Sequence, residues 1–473
     1  MEVEAGGPGS KRRKSAALGV HVRVPSPAEA HDSDPSAKQD DGGADRISDL
    51  PDTILGEIIS LLPTGDGART QILSPRWRHL WRSAPLNLDC RELTDNLWHL
   101  PDFTVTQILS SHTGPVRRFC VPTHHFLGVP ETTLELWLRS PGLDNLQELE
   151  FICIPASTFR FSATLLAFTL GQSLLSDDIT RGLHFPLLKH LTLQEVTLSD
   201  CSLHSFISGC PVLECLLIYG SFGLRSLKIN SSTLRSISIK AGNRFGSDDI
   251  EIKELVIENA PCLQRLLGLH FGYGLHVSVL SAPKLEAFGC FFTWAFSSTK
   301  LVLGSSVMQE PHVNTLTMAR CTIKILAVHF CELSLDTIIQ LLAYFPCLEK
   351  LYVASNYLRL SNFWRTKHQN LITSLDIRLK TIVLDSYRGK KSEVNFVTFF
   401  VLNAKVLELM TLVVPDKRYN EKFLELQRRK LQLENKASTG AQFQFTPKSD
   451  IRVDNVMNMK DAHDLDSWDP FIC

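Results

Sequence analysis

The stretch SLHSFISGCPVLECLLI, Ser202 to Ile218, reads as a short helix, a stop at Gly209, then a strand. A second stretch, SLDTIIQLLAYFPCLEKLYV, repeats the plan, with its helix starting at Leu335 and its strand ending at Val353. In both, a cysteine or phenylalanine near a proline is followed by leucine and glutamate. Two copies of one phrase this specific point to a repeating architecture.

The strand half recurs well beyond these two copies. Its unit is an apolar residue, two variable ones, an apolar residue, one variable, then an apolar residue. Instances begin at Val116, Leu146, Leu188, Leu213, Leu224, Leu234, Ile252, Val313, Ile323, Leu348 and Leu379, with a frayed one at Leu285. This is the strand signature of a leucine-rich repeat, whose apolar positions face the core of a solenoid. Leu188 to Leu213 and Ile323 to Leu348 are each one repeat of 25 residues. The steps from Leu213 to Leu224 and on to Leu234 are too short for strand plus helix. A tight turn is expected to replace the helix there, leaving the parallel-sheet horseshoe uneven.

Upstream of the repeats lies DRISDLPDTILGEIISLLPTGDGARTQILSPRWRHLW, Asp45 to Trp81. Leu50, Ile54, Ile58, Leu61 and Leu62 fall on one face of a short helix that Pro63 and Gly65 end. Asp66 is placed to cap a second helix carrying Ala68, Ile72 and Leu73. Ser74 and Pro75 open a third, whose face is Trp77, Leu80 and Trp81. Three helices in about forty residues sit near the limit of independent folding, and they carry more apolar residues than one tiny core hides. The segment resembles the plant form of the F-box, in the Leu50-Pro51 start, the apolar helix to Leu62-Pro63 and the ILSPRWRHLW block. Gly56 departs from the usual helix former, at a cost of about 1 kcal/mol, and Gly67 is a similar small departure.

Downstream, LKTIVLDSYRG from Leu379, VNFVTFFVLNAKVLELMTLVV and LELQRRKLQLENKASTGAQFQF resemble the FBD region that ends many plant F-box proteins. The text reads as strand, helix from Val394 to Leu402, strand, then a charged helix from Lys422 to about Glu434. Such a region would extend and cap the open end of the repeat array. The expected fold is α/β: a three-helix F-box, an irregular leucine-rich-repeat solenoid, and an α/β FBD cap. The expected boundaries are a disordered tail at 1–44, the F-box at 45–90, the solenoid at 100–355, the FBD-like region at 360–447 and a tail at 448–473.

Composition narrows the function. Of 473 residues, 44% are hydrophobic and 21% charged, and the net charge of −1 gives no global pull toward nucleic acid or anionic membrane. Aromatic interleaving suited to base stacking is absent from the basic positions. The twelve cysteines form no CxxC pair, and residues such as Cys210, Cys262 and Cys347 read as small buried hydrophobes. Val394 to Val414 is broken by Asn395, Asn403, Lys405 and Glu408, against a membrane span. No apolar leader follows Met1, so a nuclear or cytoplasmic location is expected; Lys11 to Lys14 form either an import signal or a solvated charge cluster. No GxSxG, GxxxxGK[ST] or HExxH motif appears. Gly272 and Gly274 lack the rest of a dinucleotide fingerprint, and His124 and His125 have no ligand partners at metal spacing. No catalytic residue, cofactor or metal is expected.

F-box proteins bind a Skp-type adaptor that links them to a cullin. The resemblance therefore implies adaptor contacts at Leu50, Pro51, Ile54, Ile58, Leu61, Leu62, Pro63, Ile72, Leu73 and Trp77. Ile54, Leu73 and Trp77 are equally suited to the module's own core. A protein target is expected on the concave sheet, at outward positions that include Lys189, His190, Thr192, Arg225, Lys228, Arg235, Lys253, Glu254, Glu349, Lys350 and Tyr352. There Arg225, Lys228, Arg235 and Lys240 form either a site for an acidic ligand or ordinary solvated strand edges. The implied function is the substrate receptor of a Skp–cullin–F-box ubiquitin ligase. The alternative is a protein-interaction scaffold that delivers no ubiquitin.

Overall fold

The structure, a computed structural model, describes residues 47, 49–93, 102–121, 129–152, 156–240, 252–270, 276–292, 300–303, 306–308, 322–330, 335–355 and 376–450. The tails expected at 1–44 and beyond 450, Lys11 to Lys14, His124, His125, Gly272, Gly274 and the repeat instance at Val313 lie outside these residues.

Among the described residues three helices come first: α1 (Asp52–Ser60), α2 (Thr64–Arg69, continued by a 3-10 turn Thr70–Ile72) and α3 (Pro75–Ser83). Leu55, Ile59, Trp77 and Leu80 are buried. The second helix starts at Thr64, two residues before the expected cap. Pro63 supplies its entry, and Asp66 sits inside its first turn, paired with Arg69 at 2.7 Å. Gly67 is no defect in this helix. A Cβ there would stand 2.7 Å from Trp81 Cζ3, so the missing side chain is what seats the indole. A Cβ on Gly56 would meet only Ala84 Cβ, at 3.8 Å.

Among the described residues, fourteen strands then form one sheet with every pairing parallel, running in chain order from β1 (Leu86–Asp89) and β2 (Val116–Cys120) to Gln442–Pro447. Apolar positions alternate toward the core: Leu191 and Leu193, Leu216 and Ile218, Leu351 and Val353, Ile382 and Leu384 are all buried in a single cluster. Helices Asp200–Ser208 and Leu335–Tyr344 complete the two repeats singled out from the sequence.

The short repeats differ from expectation. No tight turn merely replaces the helix. From Cys215 onward the chain alternates between the main sheet and a second one, whose strands are Ser226–Asn230, Glu254–Asn259, His276–Val279, Lys300–Leu303 and Ser306–Met308. All pairings in the second sheet are parallel except the last. Leu227, Ile229, Leu255, Ile257, Val277 and Val279 on these strands bury into the same core as the main sheet. The instances at Leu224 and Ile252 therefore belong to the second layer, and those at Leu213 and Leu234 to the first. At Gly223 (φ +85) a Cβ would strike the Leu198 carbonyl oxygen at 2.6 Å, so only glycine lets the chain cross between layers there.

The C-terminal strands Thr381–Asp385, Leu409–Val414 and Gln442–Pro447 continue the main sheet, separated by helices Lys391–Asn403 and Glu421–Lys430. This is the expected strand–helix–strand–helix order. Its interior is tied by the fully buried Tyr387, whose hydroxyl donates to Gln427 Oε1 at 2.9 Å. Cysteines split. Cys210 is buried, and burial pushes its thiol up to about 12, but Cys262 is half-buried and Cys347 exposed. In the latter repeat Phe345 and Leu348 take the core positions, leaving Cys347 between them on the solvent side.

Candidate functional site

The first helical segment presents two faces. Leu55 and Ile59 turn inward, and the next positions round the helix, Ile54 and Ile58, face solvent. With them Leu61 (82% exposed), Leu62, Ile72 (84%) and Leu73 (63%) leave six large aliphatic side chains uncovered within twenty residues. Chance exposure of single leucines is ordinary, but a concentration like this marks a contact surface. Of the expected adaptor contacts, Pro51 and Pro63 are also exposed and Leu50 is half-buried. Trp77 is 7% exposed and serves the core.

This module is fused to the sheet by polar contacts. Arg117, the second residue of β2, forms a bidentate pair with Glu57 of α1, both N–O distances 2.8 Å, which holds the Glu57 carboxyl below its usual range. Asn87 Nδ2 donates to the Ser60 carbonyl at 2.6 Å, and Thr64 Oγ1 donates to the Asn87 carbonyl at 2.7 Å. On the far side the backbone N–H groups of Thr113 and Gly114 both donate to the Arg82 carbonyl. His112 packs edge-on against Trp81, with a ring nitrogen 2.9 Å from the Ala84 carbonyl oxygen, and burial lowers its pKa. No flexible linker stands between the exposed aliphatic surface and the sheet, because α3 passes into β1 within three residues.

The expected target cations do not share one surface. Lys189 and Arg235 belong to the main sheet, where both reach Glu214, at 3.1 and 3.4 Å. Arg225 and Lys228 belong to the second sheet; the carboxylate of Asp200 accepts the N–H groups of Arg225 and Ser226 and closes that sheet's edge. Tyr352 is 5% exposed, packed with Leu267, Ala287, Ile325 and Ala327 in a small apolar cluster. These residues alternate with the core positions and so lie on the sheet's other face.

Lys189 and Arg235 prove to be part of a longer pattern. The residue after the first apolar position alternates in sign over two runs of the main sheet, Lys189, Glu214 and Arg235, then, past the neutral Gln264, Glu286, Lys324, Glu349, Lys380 and Glu408. Lys324 meets Glu286 at 2.8 Å and Lys380 meets Glu349 at 2.8 Å, and each carboxylate raises the pKa of its lysine. The backbone runs beneath them rung by rung, Glu349 N to Lys324 O, Lys380 N to Glu349 O and Glu408 N to Lys380 O. Each pair is exposed and screened by solvent, so it adds little to stability by itself. A strand slipped by one rung would set like charges together, so the ladder favours the native order of strands.

Family comparisons agree with this architecture. Residues 47–89 match the F-box domain, 134–353 match the repeats described as "FBD-associated F-box protein At5g56370, LRR repeats", and 368–412 match FBD. In chain order, then, the chain is similar to an F-box domain, to the leucine-rich repeats of FBD-associated F-box proteins and to an FBD region. Among its relatives in Arabidopsis thaliana, F-box/FBD/LRR-repeat protein At5g22700 is 31% identical over 241 residues, 47% of this chain and 53% of that protein. F-box/FBD/LRR-repeat protein At4g00160 is 27% identical over 256 residues, 52% of this chain and 51% of that protein. F-box protein At5g03100 is 27% identical over 308 residues, 62% of this chain and 94% of that protein. The matches to the first two span about half the length of each relative.

No group of His, Cys, Asp or Glu among the described residues is arranged to hold a metal ion, and no described helix is long and apolar enough to cross a membrane.

Proposed function

We propose that this chain is the substrate-recognition subunit of a Skp–cullin–F-box ubiquitin ligase. The observation that carries the reading is the uncovered aliphatic surface of Ile54, Ile58, Leu61, Leu62, Ile72 and Leu73, on a segment that matches the F-box domain. A Skp-type adaptor covers that surface and bridges to a cullin. The repeats hold a protein target, and ubiquitin transfer is catalysed by the partners, so this chain acts by raising the effective concentration of target lysines near the conjugating enzyme. It works in the nucleus or cytoplasm, where such ligases assemble.

Adaptor capture tests the proposal. Full-length protein co-expressed with a Skp-type adaptor should retain it, and an Ile54→Glu/Leu73→Glu variant should lose it. Both side chains are already in water, so the change leaves the fold intact. Truncating one buried interface anchor costs about 2 kcal/mol or more, so burying two charges should weaken binding by well over roughly thirtyfold. A control, Leu402→Glu, changes another exposed apolar residue on the C-terminal region and should bind as wild type. Equal capture by all three proteins would refute the reading.

A further inference from the structure

The C-terminal strands all end at one edge of the sheet, and there two loops lead into helix N-termini. Loop 386–390 enters Lys391–Asn403 and loop 415–420 enters Glu421–Lys430. Residues 386–391 and 415–421 together carry five cations, Arg388, Lys390, Lys391, Lys417 and Arg418, against two carboxylates, Asp416 and Glu421. Arg418 Nη1 donates to the Arg388 carbonyl at 3.1 Å, which ties the loops into one surface. Lys391, Lys417 and Arg418 are exposed, Lys390 is half-buried, and none of these four forms an ion pair among the described residues.

Two nearby acids are engaged with backbone N–H groups. Glu393 is buried and accepts the N–H groups of Arg388 and Lys390, both at 2.9 Å, and Asp416 Oδ1 accepts the Ser449 N–H at 3.0 Å. Ser392, the second residue of the helix, buries its hydroxyl with no hydrogen-bond partner among the described residues. Two helix N-termini add positive potential to the same edge.

The chain itself leads an acidic segment to this place. The Ser449–Asp416 bond brings residue 449 to the loop that carries Lys417 and Arg418. Residues 461–469, DAHDLDSWD, follow with Asp461, Asp464, Asp466 and Asp469 and no Lys or Arg. The ten residues between Asp450 and Asp461 can span up to about 35 Å when extended, ample to return to the loops. A segment tethered so close has an effective concentration in the mM range.

We infer that the acidic segment Asp461–Asp469 docks on the basic edge formed by Lys390, Lys391, Lys417 and Arg418, where it competes with other acidic ligands for this edge of the sheet. Hydrogen–deuterium exchange on the full chain tests it by following peptides that cover 386–393 and 415–421. Wild type should exchange there several-fold more slowly than a chain ending at residue 455, and than the variant Asp461→Asn/Asp464→Asn/Asp466→Asn/Asp469→Asn. A synthetic peptide of residues 456–473 should restore protection to the shortened chain, and roughly 0.5 M salt should abolish it, as charge screening requires. Equal exchange in all three proteins overturns the docking. Protection that survives the four Asp→Asn changes overturns its electrostatic basis.

Discussion

Two glycines in the first helices have opposite local surroundings, and exchanging each for alanine separates helix propensity from packing. Either change gains about 1 kcal/mol of helix propensity. At Gly56 the new methyl finds Ala84 Cβ at 3.8 Å, an ordinary contact, and its burial adds up to about 0.8 kcal/mol. At Gly67 the methyl arrives 2.7 Å from Trp81 Cζ3, and the indole must shift from its seat. Overpacking of that kind costs about 1–3 kcal/mol. Propensity cancels between the two variants, so Gly67→Ala should fall below Gly56→Ala by about 1–3 kcal/mol or more. The assay is local opening of α2 and α3 in the full chain, from hydrogen exchange of peptides covering 64–83. The Trp81→Leu background completes the cycle, because without the indole Gly67→Ala should lose its penalty. Protection in Gly67→Ala equal to that in Gly56→Ala would refute the reasoning, as would a penalty unchanged in the Trp81→Leu chain.

Two further outcomes concern charged groups, one row along the sheet and one buried carboxyl in the helix Lys391–Asn403. Lys380→Glu places three acids in a row with Glu349 and Glu408 and should lower the urea midpoint slightly, while the swap Glu349→Lys/Lys380→Glu changes which neighbours clash and should not restore it fully, since Lys324 and Glu408 then face like charges; urea denaturation of the three proteins measures this. Burial raises the folded pKa of Glu393 above its ordinary value near 4.5. The folded chain therefore binds the proton more tightly, and this group's contribution to stability falls as pH rises from about 4.5 through the raised value. Replacing it, Glu393→Gln, should flatten that part of the pH–stability curve, and a difference curve that rises instead would contradict the assignment.

Much of this was legible in the sequence, because a strand that buries one face writes its alternation into the text. The order of the C-terminal strands and helices follows from Leu379, Val394 and Leu407 onward without help from tertiary contacts. The exposed ridge of the first helix was legible too, as Ile54, Ile58, Leu61 and Leu62 share a face; that the core takes Leu55 and Ile59 was not, since adjacent residues differ by one step round the helix. What escaped was long-range. The unit at Leu224 obeys the same apolar rule as the unit at Leu213, and the rule records that a strand meets the core but not from which side. Gly67 read as a weakness because its reason, Trp81, lies fourteen residues away. Tyr352 read as a surface residue because alternation marks it outward, whereas it packs with Ile325 and Ala327 of the neighbouring strand.

The layer behind the main sheet is built of two materials, and their widths differ. Neighbouring strands lie about 4.8 Å apart, whereas packed helices need about 8–10 Å. Where a repeat backs its strand with a helix, as at Asp200–Ser208 and Leu335–Tyr344, the outer arc is longer than the inner one and the solenoid bends. Where strand backs strand, as with Ser226–Asn230, Glu254–Asn259 and His276–Val279, both layers share one spacing and that source of curvature is removed. Exchanging a helix for a strand behind the main sheet is therefore a way to set how far each strand turns from its neighbour, repeat by repeat.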